Sequence, residues 1–222
     1  MRDYLKITNE DCMDLLKRTP DNYYNLAIVD PPYGININVN MGGRKRNSID
    51  KTKNWDTGVP SAEYFSELFR VSNNQIIWGG NYFDLPPSQY FTIWDKGETM
   101  YGRDFAEMEF GWVRSGGTRI FKKNPNQKDR IHPTQKSVSL YQWLLKNYAK
   151  KGDKILDTHL GSMSIAIAVD SVNKIEGMDL TLTGCELDAD YFKEGIARVE
   201  RETKWESVFK EPEKEVEQIK MF

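Results

Sequence analysis

Apolar residues follow two rhythms along this chain. Leu26-Ala27-Ile28-Val29 is an unbroken apolar run of strand length, and Gln75–Trp78, Tyr90–Trp94 and Met108–Val113 read as three further strands separated by turn residues. A run apolar at every position suits a central parallel strand buried on both faces. Tyr4–Ile7 reads as a short strand, followed by a helical stretch Cys12–Lys17 that stops before Pro20. Ser61–Val71 has the other rhythm: Tyr64, Phe65, Leu68 and Val71 recur at helical spacing, with Ser61 as N-cap. The C-terminal third then predicts a helix over Ser137–Tyr148, a strand over Lys154–Asp157, a helix over Gly161–Val172, a strand over Thr181–Glu186 and a helix from Ala189 to about Arg201. Residues 35–60 have no period and read as a loop. Strands alternating with helices predict an α/β open sheet.

Composition narrows the class. The 222 residues fit one domain carrying insertions, and 39% apolar residues with a net charge of −2 fit a soluble globular chain. No run approaches the ~18 apolar residues of a membrane span, and Met1-Arg2-Asp3-Tyr4 does not begin a signal peptide. No membrane partner and a cytoplasmic location are therefore expected. Two cysteines without a C-x-x-C pair, and only His132 and His159, give no metal-ligand spacing, so no metal is expected.

Charge is unevenly placed. Residues 36–56 hold Arg44, Lys45, Arg46, Lys51 and Lys53 against Asp50 and Asp56. Residues 114–136 hold Arg114, Arg119, Lys122, Lys123, Lys128, Arg130 and Lys136 against Asp129 alone. Two basic segments on an otherwise acidic body are the pattern of a phosphate-binding face, and equally of two solvated loops. The mixed-sign tail from residue 203 to 222 reads as a solvated end.

Two stretches carry candidate chemistry. Asp157-Thr158-His159-Leu160-Gly161-Ser162-Met163-Ser164 reads as strand, tight turn and helix start, a general site for a nucleoside-type ligand. Glu186 ends the following strand, where a carboxylate can accept both hydroxyls of a ribose. Asp30-Pro31-Pro32-Tyr33 is sharper. Successive prolines fix the loop, so a carboxylate and a carbonyl one residue apart can each accept one hydrogen of an exocyclic amine. Those two acceptors favour a pyramidal nitrogen with its lone pair free, and Tyr33 offers a flat face for a base.

With these motifs the chain resembles the S-adenosylmethionine-dependent amino-group DNA methyltransferases, in particular the N6-adenine branch with its motifs in permuted order. It is similar to small phage and prophage adenine methyltransferases, which also carry stretches like Gln75-Ile76-Ile77-Trp78-Gly79-Gly80-Asn81-Tyr82-Phe83. The resemblance spans roughly residues 4–201. It implies a Rossmann-like methyltransferase fold, a seven-stranded, mostly parallel sheet with one antiparallel strand. It also implies a single domain over 1–222 with target-recognition insertions at about 36–60 and 114–131. Asp30, Pro31, Pro32 and Tyr33 take the catalytic motif. The cofactor S-adenosylmethionine, left as S-adenosylhomocysteine, would be held by Asp11, Cys12, Asp30, His132, Thr134, Gln135, Lys136, Asp157, Thr158, Gly161, Ser162, Ser164, Glu186 and Leu187. In this resemblance Lys136 pairs with the cofactor's carboxylate. Double-stranded DNA would lie against Arg44, Lys45, Arg46, Lys51, Lys53, Arg114, Arg119, Lys122 and Lys123. A homodimer and a cognate restriction nuclease stay open as partners.

The chain departs from the family pattern at Met163, where glycine is usual, and at Ser137, where proline is common. Met163 is expected to keep an ordinary helical backbone, to fold its side chain inward against Ile165 and Val169, and to hold S-adenosylmethionine about tenfold less tightly than glycine would. Ser137 is expected to loosen a helix start. Two other readings stay open: N4-cytosine methylation, and a non-catalytic DNA-binding module that keeps the fold. Aspartate rather than serine at position 30 leans toward adenine.

Overall fold

The computed structural model describes residues 2–35, 56–102, 106–125, 130–132 and 134–204. Eight strands form one sheet: β1 (Leu5–Asn9), β2 (Tyr24–Val29), β3 (Ser72–Trp78), β4 (Tyr90–Asp95), β5 (Met108–Val113), β6 (Arg119–Lys122), β7 (Lys154–Asp157) and β8 (Thr181–Glu186). Their spatial order is β1-β8-β7-β2-β3-β5-β4-β6. Among the described strands only β5 runs against the rest, paired antiparallel with β3 and β4.

Among the described residues five α-helices cover the two faces: α1 (Cys12–Arg18), α2 (Ala62–Val71), α3 (Val138–Tyr148), α4 (Ser164–Glu176) and α5 (Ala189–Thr203). The period-two geometry of β2 shows why. Leu26 and Ile28 point to one face, where they join Leu144, Val169 and Val199 of α3, α4 and α5. Ala27 and Val29 point to the other and pack with Leu16, Phe65 and Leu68 of α1 and α2. Both faces of β2 are thus core, which is why its apolar run is continuous. Each fully buried Leu or Ile in these layers contributes roughly 1.5–3 kcal/mol.

Each strand read from the sequence is present, and the sheet has the one reversed strand expected. An eighth strand, β6, forms inside the segment read as a basic insertion. Its four residues Arg-Ile-Phe-Lys bury only Phe121 in part and pair with β4 alone, so no alternation marked them out. Helix α4 begins at Ser164 rather than Gly161, because Gly161 and Met163 both have positive φ (48° and 57°). Ser137 does not loosen its helix. Its Oγ accepts the Leu140 N–H at 3.2 Å and caps α3.

Candidate functional site

The carboxyl ends of β2, β7 and β8 lie side by side, with Ala27 opposite Leu156 and Asp157 opposite Gly184. In an open α/β sheet this edge is where ligands bind. Here it opens into a cleft of about 610 Å³, within the ~300–1,000 Å³ typical of small-molecule pockets.

One end of the cleft is built on β2. Asp30 follows the last residue of the strand, and Pro31, Pro32 and Tyr33 continue the lining. The Tyr33 hydroxyl donates to Asp30 Oδ1 at 2.6 Å, and Lys136 Nζ holds Asp30 Oδ2. Asp56 Oδ1 accepts the backbone N–H groups of Tyr33 (2.7 Å) and Gly34 (2.9 Å), pinning the loop from behind. Burial, reinforced by the charges of Asp30 and Glu109, lifts the Tyr33 phenol well above its usual pKa, so it stays a donor.

Lys136 is buried, and its ammonium stands between two carboxylates, Asp30 and Glu109 (3.2 Å to Oε2). Glu109 in turn meets Lys96 at 2.9 Å, giving four alternating charges in a row. Burial opposes charge on Lys136, but the two carboxylates outweigh it and raise its pKa. Burial likewise opposes charge on Glu109, and the two lysines outweigh it and lower its pKa. The sequence missed Glu109. A lone acid inside the strand Met-Glu-Phe-Gly-Trp-Val, with Lys96 just beyond the paired strand, was the available clue.

The other end is the turn after β7. Glu186 Oε2 accepts the Gly161 N–H at 2.7 Å, and its Oε1 accepts that of Asp188 at 2.9 Å. Gly161 faces the His132 ring, the nearest atoms lying 3.8 Å from where a Cβ would stand. His132 packs edge-on against Tyr191 of α5 at 4.5 Å. Arg198, also from α5 and not expected from the sequence, is buried behind the turn. Its Nη1 donates to the Ser162 carbonyl at 2.7 Å and to Ser164 Oγ at 2.9 Å.

Most of the candidate cofactor residues meet in this one cleft: Asp11, Cys12, Asp30, His132, Thr134, Gln135, Lys136, Thr158, Gly161, Ser162, Glu186 and Leu187 line it. Asp157 and Ser164 do not line it. Ser164 Oγ turns away to the Lys136 carbonyl at 2.8 Å. Asp157 is buried beneath the turn, its Oδ1 accepting the His159 N–H at 3.0 Å while Oδ2 has no partner among the described residues. Burial pushes the Asp157 carboxyl up to about 8, and pushes His159 down to about 4.

Met163 has a left-handed backbone, not the helical one expected. Its side chain is fully buried as expected, but it packs on Gly195 of α5: a Cβ there would meet Met163 Cγ and Sδ at 2.8 Å.

The candidate DNA residues divide. Arg44, Lys45, Arg46, Lys51 and Lys53 lie outside the described residues. Lys122 ends β6 opposite Asp95 and Lys123 follows it, its N–H on the Asp95 carbonyl at 2.9 Å, at the same edge of the sheet as the cleft. Arg114 and Arg119 lie at the opposite edge, because reversed β5 carries its end there, with Val113 opposite Tyr90, and β6 starts there. Arg119 stacks over Tyr148, the last residue of α3.

Comparison with known proteins adds a family-level finding. Residues 88–197 match the model of the N6/N4 DNA methylase family. That stretch includes Lys136 and the Asp157–Ser164 turn but stops short of the Asp30 tetrad. No curated protein sequence matches the chain. Among solved structures, the complex of M1.HpyAVI with SAM superposes with a TM-score of 0.55 at 17% identity, covering 88% of this chain and 98% of that one. PvuII DNA methyltransferase, cytosine-N4-specific, gives 0.55 at 11% identity over 90% and 92%. TTHA0409 of Thermus thermophilus, described as a putative DNA modification methylase and complexed with S-adenosyl-L-methionine, gives 0.53 at 15% over 89% and 94%. The chain has the Rossmann-like α/β fold of these methyltransferases.

Proposed function

We propose that this protein transfers a methyl group from S-adenosylmethionine to the exocyclic amine of a base flipped out of duplex DNA, N6 of adenine being the target. The observation that carries the reading is the placement of Asp30-Pro31-Pro32-Tyr33 in the same cleft as the Gly161 turn and Glu186. The cleft suits the cofactor: a glycine turn with room above it, carboxylates of Glu10, Asp11, Glu186 and Asp188 at one end, and Lys136 at the other. Among the described residues these are the groups that would hold a nucleoside with an amino-acid tail, and the motif order is permuted, catalytic tetrad first. When bound, S-adenosylmethionine supplies an activated methyl group.

The chain's own residues then act on the base. A carboxylate offers about four lone-pair sites, so Asp30 can keep Tyr33 and Lys136 and still accept an amine hydrogen. The Pro31 carbonyl accepts the second. The paired Lys136 and Glu109 keep that carboxylate fixed, which lowers the cost of orienting the amine. A base inside the helix cannot reach this loop, hence the flip, at a few kcal/mol.

Tritiated-methyl transfer to unmethylated DNA tests the reading, and methylome sequencing of expressing cells names the base. Modified cytosine instead of adenine would favour the cytosine reading, which the PvuII likeness keeps in view. Asp30→Asn is expected to lower single-turnover transfer by at least a hundredfold. It should leave S-adenosylmethionine affinity within about threefold by calorimetry, because Glu109 still neutralises Lys136. Retention of a tenth of wild-type turnover would remove Asp30 from the mechanism.

A further inference from the structure

The face of Tyr33 expected to receive a base is not free. Tyr82 lies stacked on it, ring centroids 5.0 Å apart and planes 13° from parallel. Away from the cleft the ring is also hemmed in. Phe83 meets it edge-on at 6.1 Å, and a Cβ on Gly79 would stand 2.2 Å from Tyr33 Cε1. A base can join this stack only if one ring moves.

The two rings differ in how firmly they are held. Tyr33 is tied at three points: its hydroxyl to Asp30, and its own N–H and that of Gly34 to Asp56. Tyr82 is 45% exposed and rides on the one-turn helix Gly80–Tyr82, entered through Gly79 at φ 68°. Gly79 and Gly80 are buried, with the Gly79 N–H on the Phe110 carbonyl at 2.8 Å, so the freedom lies in the half-exposed Tyr82 side chain, which can swing aside.

We infer that Tyr82 is the second wall of the target-base slot, with the flipped base inserting between Tyr82 and the fixed Tyr33. This deepens the methyl-transfer reading above and rests on it. In the free protein the two tyrosines satisfy each other's apolar faces. Admitting a base requires the ring planes to part to about 7 Å, two van der Waals contacts of ~3.5 Å, and Tyr82 moves. The base then exchanges one tyrosine–tyrosine stack for two base–tyrosine stacks. Tyr82 does not line the cofactor cleft, so its contribution falls on the DNA side alone.

The test compares wild type with Tyr82→Ala, Tyr82→Phe and Tyr82→Trp, using tritiated-methyl transfer to whole-genome-amplified, hence unmethylated, bacterial DNA. Removing the ring loses one base stack but also spares the parting of the tyrosine pair, so kcat/KM for DNA is expected to fall by about five- to tenfold. S-adenosylmethionine affinity by calorimetry should stay as in wild type, the melting temperature of the alanine variant should fall by no more than about 4 °C, and Phe and Trp should each retain at least a third of the activity. An alanine variant as active as wild type, or more active, overturns the proposal; the latter would make Tyr82 a mere plug. Phe and Trp variants as poor as alanine overturn it too. A wild type without methyl transfer to this DNA would overturn the functional reading and this proposal together, an outcome distinct from an active wild type with an equally active variant.

Discussion

Met163 and Gly195 are one structural unit made of two unlike residues. Met163 occupies a left-handed backbone that costs a side-chain-bearing residue about 1–2 kcal/mol, and recovers it by filling the space that glycine leaves on α5. Met163→Gly should therefore relieve the backbone yet remove a buried side chain worth ~2–5 kcal/mol, for a net destabilisation of roughly 1–3 kcal/mol in urea titration. Its cofactor affinity should stay within threefold, since Met163 does not line the cleft. Gly195→Ala should destabilise wild type and do so less in the Met163→Gly background. Strict additivity of the two would separate them. Asp157 gives a second residue-scale prediction. Its native pKa of about 8 exceeds the usual 3.8, so the folded state holds its proton more tightly and stability declines as pH rises toward 8. His159, lowered to about 4, is neutral when folded, and its unfolded form, half-protonated at pH 6.5, adds only about 0.4 kcal/mol in the opposite sense by pH 8. From pH 6.5 to 8 the Asp157 contribution should fall by about 2 kcal/mol, and Asp157→Asn should flatten that slope in denaturant titrations across the range.

At the scale of elements, α5 does more than cover the sheet. It lends Arg198 to the Ser162–Ser164 turn, Tyr191 to His132 and Gly195 to Met163, so one helix shapes the whole glycine end of the cleft. Arg198→Met keeps the apolar stem and removes the hydrogen bonds to Ser162 and Ser164 together with the surface-side pair to Glu202 at 2.9 Å. Stability should drop by roughly 2–3 kcal/mol, and S-adenosylmethionine affinity should weaken several-fold by calorimetry as the turn loosens. Unchanged affinity at lowered stability would make Arg198 a packing residue only. The elements themselves were largely legible from the sequence. Leu26–Val29 announced a doubly buried strand, and Tyr64, Phe65, Leu68 and Val71 a one-sided helix, because burial imposes the period. Strand β6 was not, since an edge strand with one partly buried residue leaves no period to find. The start of α4 was misplaced because a methionine at φ 57° is a choice made by tertiary packing, which local preference does not record.

For the whole molecule, what the sequence could place was motif, and what it could not was direction in space. Asp30, Lys136, Gly161 and Glu186 converge because each follows or faces the carboxyl end of a central strand, a rule that strand order alone supplies. Arg114 and Lys122 looked alike in the sequence, yet reversal of β5 sends one to the far edge and β6 returns the other to the cleft. Salt dependence of DNA binding should report that geometry. Lys122→Gln with Lys123→Gln should flatten the slope of log affinity against log salt by about 0.9 for each phosphate no longer neutralised, and Arg114→Gln with Arg119→Gln should leave it unchanged. Equal effects from both pairs in filter-binding titrations would mean that DNA wraps the sheet rather than meeting its cleft edge. The pairing of β1 has a consequence of another kind. Among the described strands β1 sits at the sheet margin beside β8, Leu5 opposite Leu182. During synthesis the first strand to emerge must wait for nearly the last, roughly 10–30 s at ~5–20 residues per second. The Asp30 loop is made early in that interval and the glycine turn late. A nascent chain therefore holds the Asp30 loop before the Lys136 and Glu109 that fix it and before the glycine turn, and its cleft is complete only once almost every residue of the sheet has been laid down.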